Sequence, residues 1–290
     1  MIALRANDGS EVPQFYTAGP AAPGQWQPTP SCAASQGGGA FLHWRNIVPF
    51  GIPSGDAFRL APPPALEWGA YTLDFDEVKT VGRVDSVMRP FDRTTVARFY
   101  AITSPVNWAN SVARQVAAAQ SRSIAENARG FALLNMALAD AAIAVFDTKY
   151  HYNFWRPETA IHAAATDTND RTAADDSFVP FIVAPCFPSY PSAHATVSYA
   201  AKEVLDRLYG ASGHNITLTN PLLPDVALPY TEFKRIVEDI DDARVFGGIH
   251  FRFDQEAGAQ QGRSLGAYIF KNNLKPLHPW GLPGLKTRPT

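Results

Sequence analysis

Apolar positions recur every third or fourth residue along two alanine-rich stretches, residues 106 to 121 and 123 to 149. In the second, Ile124, Phe131, Leu134, Leu138, Ala142 and Val145 share one helical face. Asp92 is placed to cap a helix that runs on through Phe99. Pro157 sits at the first position of a helix reaching Ala165. Residues 166 to 190 read as a loop rich in Pro and Asp. Pro191-Ser192-Ala193-His194 then opens a helix to about Leu208. A loop is expected from Gly210 to Pro229, then a helix capped by Thr231, with Glu232 just inside it, to about Arg244. After Gly247-Gly248 a last helix is expected from about His250 to Asn272, before a tail of Pro, Gly and Trp. No internal repeat and no convincing alternation for strands is evident.

Residues 1–75 differ from the rest. They are rich in Pro and Gly and lack periodicity, as in Gly19-Pro20-Ala21-Ala22-Pro23-Gly24 and Pro62-Pro63-Pro64. They read as irregular chain wrapped over a helical domain at 76–290, anchored by Trp26, Phe41, Trp44 and Phe50. Such a region does not fold alone, and its abrupt start suggests a larger N-terminal part missing or encoded elsewhere. The expected fold class is all-α: a helical bundle with a long irregular N-terminal wrap.

Composition narrows the function classes. The 290-residue chain is 46% hydrophobic and 18% charged, so it is globular and large enough for a sizeable core. A net charge of −2 and a pI near 6.4 argue against a nucleic-acid partner. Two cysteines, Cys32 and Cys186, exclude a disulfide framework and a cysteine-built zinc site; one bridge forms only if the fold brings them together. The apolar run Gly130 to Phe146 is shorter than a spanning helix needs and carries Asn135 and Asp140. It reads as a core helix with no membrane span, and Asp140 as a structural partner for an arginine. Met1 to Asp8 is not a signal peptide. A soluble protein is expected, its compartment unassigned; a leader on a missing N-terminus would make it periplasmic or secreted.

Three short segments carry chemistry. In Lys149-Tyr150-His151-Tyr152-Asn153-Phe154-Trp155-Arg156-Pro157, two cations stand about two helical turns apart among bulky groups. A lysine point charge and a bidentate guanidinium together suit a multiply charged oxyanion. In Cys186-Phe187-Pro188-Ser189-Tyr190-Pro191-Ser192-Ala193-His194, a serine and a small residue open a helix whose free N–H groups can face an anion. His194 follows within reach as an acid or base. In Ala243-Arg244-Val245-Phe246-Gly247-Gly248-Ile249-His250-Phe251-Arg252-Phe253-Asp254, an arginine and a histidine flank two glycines. Asp254 lies four residues beyond His250, where on a helix it can hold the ring's other nitrogen. Taken singly, each segment also reads as an ordinary helix boundary; their conjunction does not.

The three motifs, in this order, resemble those of the superfamily of vanadium-dependent haloperoxidases and type 2 phosphatidic-acid phosphatases, over about residues 75 to 275. The resemblance implies a helical-bundle fold with an oxyanion site. It implies that Lys149, Arg156, Ser192, Arg244 and the Ala193 N–H hold the anion. His250 becomes the vanadium ligand or phosphate nucleophile, His194 the acid–base group, Lys149 a catalytic group that polarises peroxide, and Asp254 the orienter of His250. Two positions depart from the family pattern: Ala193 stands where glycine is usual, and Ala243 where serine is frequent. Neither removes a charged or nucleophilic group.

Phe154-Trp155-Arg156-Pro157, the segment from Phe187 to Ser192, and Phe251 to Asp254 resemble the soluble haloperoxidase branch, with Phe187 at the halide pocket. That branch implies vanadate as cofactor, with phosphate able to occupy the same site. Hydrogen peroxide, a halide and a small organic acceptor would be the substrates, a hypohalous species the product, and a homodimer a common state. The alternatives are a soluble acid phosphatase using His250 and a non-catalytic truncated homologue.

Overall fold

The computed structural model of the protein describes residues 2–35 and 37–275. Local chemistry sets several helix ends. Helix α1 (Ile2–Arg5) is a single turn; α2 spans Gly69–Val81 and α3 Phe91–Ile102. Helix α4 (Pro105–Ala119) starts on Ser104, whose hydroxyl accepts from the Asn107 N–H, with Pro105 at the first helical position. Helix α5 (Ile124–Tyr152) starts on a capping box of Ser123 and Glu126 and ends at Asn153, whose left-handed backbone (φ 51°) turns the chain sharply. The short α6 (Pro157–Ala163) follows at once, then a long loop and α7 (Ala193–Tyr209). After a hairpin come α8 (Phe233–Val245) and α9 (Arg252–Asn272). The all-α expectation holds, with helices as the dominant element. From residue 276 the expected C-terminal tail lies outside the described residues.

Helix α3 begins at Phe91 after the N-cap Pro90, so Asp92 lies inside it and does not cap it as expected; besides that and the early start of α2, three boundaries differ from the expectation. The loop foreseen from Gly210 to Pro229 is an antiparallel hairpin, β1 (Ser212–Asn220) and β2 (Leu223–Glu232), in which Ile216 faces Tyr230 and Leu218 faces Leu228. Pro224, Asp225 and Pro229 broke its alternation in the sequence. In a sheet of two strands every strand is an edge, where proline is tolerated. The second difference follows from the hairpin: Thr231 lies in β2 and does not cap α8, whose N-cap is Glu232 with no side-chain capping bond. Thirdly, α9 begins at Arg252, which leaves His250 in the preceding loop.

The main core is shared by α3, α4, α5, α7, α8, α9 and the hairpin, with Trp108, Leu133, Leu134, Val204 and Ile240 buried. Helix α5 is 29 residues and contains an 18-residue stretch with a mean hydropathy of 1.5, so by length and composition alone it could cross a membrane; 67% of that stretch is buried in the protein, as in a core helix. A second, aromatic cluster joins α2, α6 and the loop before α9 through Tyr71, Phe75, Trp155, Phe178 and Phe251. Helix α2 crosses residue 75, so the irregular chain gives way to helix at Gly69.

Glycine governs the packing that matters most for the site. Gly258, Gly262 and Gly266 line the face of α9 against α7. A Cβ would lie 2.8 Å from Ser192 O at Gly258, 2.3 Å from Thr196 O at Gly262 and 2.6 Å from Ala200 O at Gly266. The backbones approach this closely because those positions carry no side chain, and the start of α7 is thereby pressed against the start of α9.

The N-terminal segment is tied down by specific bonds. Trp26 is fully buried and its backbone N–H donates to Asn153 O at 2.8 Å. Of the other expected anchors Trp44 is half-buried, while Phe41 and Phe50 stay exposed. Asp140 does not pair with an arginine as expected. Its carboxylate accepts the N–H groups of Phe50, Gly51 and Ile52 at 2.7, 2.7 and 3.0 Å, and three converging donors already satisfy it. The arginine partners belong to Asp147, which binds Arg45 and Arg59. Cys32 and Cys186 form a disulfide across 154 positions of sequence.

Replacing Asp140 strands these backbone donors in the interior. Asp140→Ala should lower unfolding free energy by about 3 kcal/mol or more, measured by urea titration; a loss below about 1 kcal/mol would show that the wrap is held elsewhere.

Candidate functional site

The last turn of α5 carries Lys149, fully buried. Its Nζ donates to the carbonyls of Pro188 and Ser189 at 2.8 and 2.7 Å, which takes two of its three donors. The turn at Asn153 brings the chain back, so that Arg156, the N-cap of α6, enters the same interior. Its Nε donates to Phe187 O at 2.9 Å and its Nη1 to Ile249 O and His250 Nε2, both at 2.9 Å. Its Nη2 is buried without a hydrogen-bond partner. Arg244, at the end of α8, is also buried; Nη1 donates to Tyr100 O at 3.2 Å, and Nε has no partner.

His250 stands between a cation and an anion. Arginine donates and never accepts, so the Arg156 contact requires an unprotonated Nε2. The ring proton is then on Nδ1, which donates to Asp254 Oδ2 at 2.8 Å. The same oxygen accepts from the Ser189 hydroxyl and, at 3.2 Å, from the Phe251 N–H. Although His250 precedes α9, Asp254 in the helix's first turn still reaches it, and three donors hold the carboxylate in place. His250 therefore presents a lone pair on Nε2 toward the guanidinium of Arg156.

Ser192 caps α7, accepting from the Ala195 N–H at 3.3 Å, while its own N–H donates to Asp254 O at 2.9 Å. Ala193 and His194 form the first turn of the helix and are half-buried. Phe187 lies over both cations, its ring centroid 5.2 Å from Lys149 Nζ and 5.0 Å from the Arg156 guanidinium carbon. All nine residues singled out in the sequence thus gather around three helix starts, two helix ends and the loops that precede α7 and α9.

Burial and like charge act together here. Lys149 is pushed well below the ordinary lysine range, first by burial and then by Arg156 and Arg244. Burial likewise pushes Arg156 down to about 9 and Arg244 to about 10. His194 is held well below the usual histidine value by burial, then by Arg244, Lys149 and Arg156. His250 falls in the same direction, by burial and the same cations. Asp254 is pushed up to about 6 by burial, against the Ser189 hydrogen bond and the pull of Lys149 and Arg156. The interior therefore holds an excess of positive charge and buried N–H groups with no acceptor. Its donor set fits an oxyanion.

Sequence reading missed two contributions. Ser189 was inside a motif but carried no signal of its own; its role depends on Asp254 arriving from 65 positions away. The backbone carbonyls of Phe187, Pro188, Ser189 and Ile249, which aim the cations, have no side-chain signature.

Comparison with known proteins accords with this geometry. Residues 129–278 match the family model of the VCPO second helical-bundle domain. A vanadium chloroperoxidase of Curvularia inaequalis is 26% identical over 273 residues, an alignment that takes in 68% of this chain and 43% of the relative. Among solved structures, a bacterial vanadium-dependent iodoperoxidase superposes with a TM-score of 0.75 at 28% identity, over 92% of this chain and 64% of that one. A holo-type bacterial vanadium-dependent chloroperoxidase shares the fold, with a TM-score of 0.71 at 15% identity over 93% of this chain and 69% of the other. This chain thus spans less than two-thirds of the first two relatives. With more than half of it matched by the family model, the chain belongs to the vanadium haloperoxidase superfamily.

Proposed function

We propose that this protein is a vanadate-dependent haloperoxidase, oxidising a halide with hydrogen peroxide to a hypohalous species that reacts with a small organic acceptor. The observation that carries the reading is the buried cation cluster, with Arg156 Nη2 and Arg244 Nε unpartnered and with His250 Nε2 unprotonated, its lone pair turned to Arg156 Nη1. The names of the relatives support it.

In this reading Lys149, Arg156 and Arg244 hold the anion's charge, helped by the Ser192 hydroxyl and the Ala193 N–H at the positive end of α7. His250 offers Nε2 as the ligand, fixed in that tautomer by Asp254. Bound vanadate supplies a Lewis acid that activates peroxide without changing oxidation state. His194, kept neutral by burial and then by its cationic neighbours, takes up the proton that peroxide loses. Lys149, aimed by two carbonyls, presents its remaining N–H to an oxygen of the bound substrate. Phe187 forms an apolar wall against the cations where a halide can approach with little competing water.

The test is to purify the protein free of phosphate, add orthovanadate, and assay bromination of a phenolic dye with peroxide and bromide. Hydrolysis of p-nitrophenyl phosphate is followed in the vanadate-free form. Vanadate-dependent bromination lost in His250→Ala is expected, and Arg244→Ala should cost roughly 10²–10³-fold. Hydrolysis that depends on His250, without bromination, would reassign the site as a phosphatase. Silence in both assays from folded protein would identify a non-catalytic homologue.

Ser189→Ala removes one donor from Asp254 and loosens the tether on His250. Vanadate affinity should fall about 10–100-fold, with the Asp254 carboxyl titrating higher than in the parent; unchanged affinity would reduce Ser189 to a packing residue.

His194 gives a pH dependence of defined sign. Its folded pKa is depressed, so the unfolded chain binds the proton first. The stability linked to the neutral ring is full above the unfolded value of about 6.5 and is lost as pH falls from there toward the folded value, by up to ~1.4 kcal/mol per pH unit. Asp254, with its raised pKa, acts in the opposite direction below about 6. His194→Gln should therefore flatten the fall in melting temperature of the anion-free protein between about pH 6.5 and 5. An identical profile in parent and variant would remove His194 from the buried cluster.

A further inference from the structure

We infer that the Cys32–Cys186 disulfide is a positioning device for the cation cluster and makes its anion affinity depend on redox state. The inference rests on the oxyanion reading of the site. Cys186 immediately precedes Phe187, Pro188 and Ser189, whose carbonyls accept from Arg156 Nε and Lys149 Nζ. The loop between α6 and α7 has few fixed points of its own here. On one side, Phe181 N–H donates to Gly82 O and Ile182 N–H to Gly247 O; on the other, Ser189 N–H donates to Phe154 O. Between them, from Val183 to Cys186, the bonds among the described residues that tether the loop to other parts of the chain come from the N-terminal segment, while Phe187 O meets Arg156 itself. The Ser31 hydroxyl donates to Ala184 O, the Ala40 N–H donates to Cys186 O at 2.7 Å, and the disulfide joins Cys32 to Cys186. Ala40 is in turn bound by the Tyr150 hydroxyl, one residue after Lys149.

The disulfide thus fixes the loop that aims two of the three buried cations. The rest of the wrap has independent anchors in Asp140, Asp147 and Trp26. Breaking the bridge therefore releases the Phe187–Ser189 carbonyls while the bundle persists. Cys32 is buried but Cys186 is half-exposed, which gives a reductant one sulfur to attack. With a trialkylphosphine, phosphorus attacks one sulfur and the S–S bond breaks. Water then supplies the oxygen of the phosphine oxide and the protons for two thiols.

The probe is inorganic phosphate, because the reductant would also consume vanadate. Phosphate binding is measured by calorimetry on the oxidised protein, on protein reduced with the phosphine and then desalted under argon, and on the double variant Cys32→Ser, Cys186→Ser. Thermal unfolding of each is followed in parallel. Expected are a dissociation constant at least about tenfold weaker in the reduced and variant proteins, retained cooperative unfolding, and full recovery of affinity on reoxidation of the wild type. Equal affinity in all three forms would overturn the inference. So would loss of cooperative unfolding on reduction, which would make the bridge a staple of the whole fold. Oxidised protein that binds no phosphate would overturn the oxyanion reading itself, and this inference with it.

Discussion

Three cationic side chains, Lys149, Arg156 and Arg244, are held almost wholly out of water within one electrostatic neighbourhood. At an effective dielectric near 20, two like charges about 4 Å apart repel by about 4 kcal/mol, and each also loses hydration. Such an arrangement persists only if the rest of the molecule imposes it. Backbone carbonyls from residues 187, 188, 189 and 249 meet the cations directly, and Tyr100 O meets Arg244. Asp254 supplies opposing charge. The balance remains short of negative charge, the shortfall that the proposed oxyanion would fill.

The architecture follows from this demand. A bundle core made of α5, α7 and α9 gives rigid ends from which Lys149, Ser192 and Asp254 project. The glycine face of α9 lets α7 approach until the Ser192 N–H bonds the Asp254 carbonyl. The irregular N-terminal segment, which forms little of the core, reaches around to hold the loop between α6 and α7. A segment without regular hydrogen bonds can serve this purpose because its own polar groups are met by Asp140, Asp147 and the bundle's helix ends.

Much of this was legible in the sequence. The 3.6-residue periodicity located α4 because that helix buries one apolar face; α5 was legible as a long apolar run, and it is buried on all sides from Ile143 to Tyr150 while Ile124 of its expected face stays exposed. The site side chains were legible because lysine, arginine and histidine beside serine and a small residue at helix boundaries have few purely structural uses in conjunction. The hairpin at 212–232 was not legible: Pro224, Asp225 and Pro229 obscure an alternation that only packing of Ile216, Leu218 and Tyr230 against the bundle makes worthwhile.

By itself the sequence determined the helical class, the order of the three motifs and the identities of the charged groups, since these depend on local periodicity and side-chain chemistry. Tertiary structure alone decided that Asp140 binds three backbone N–H groups, that Ser189 meets Asp254, and that Cys32 meets Cys186 across 154 positions. Each of those contacts joins groups distant in the chain. Which buried donor finds which acceptor is settled only when the packed helices and the wrap fix one geometry for these contacts.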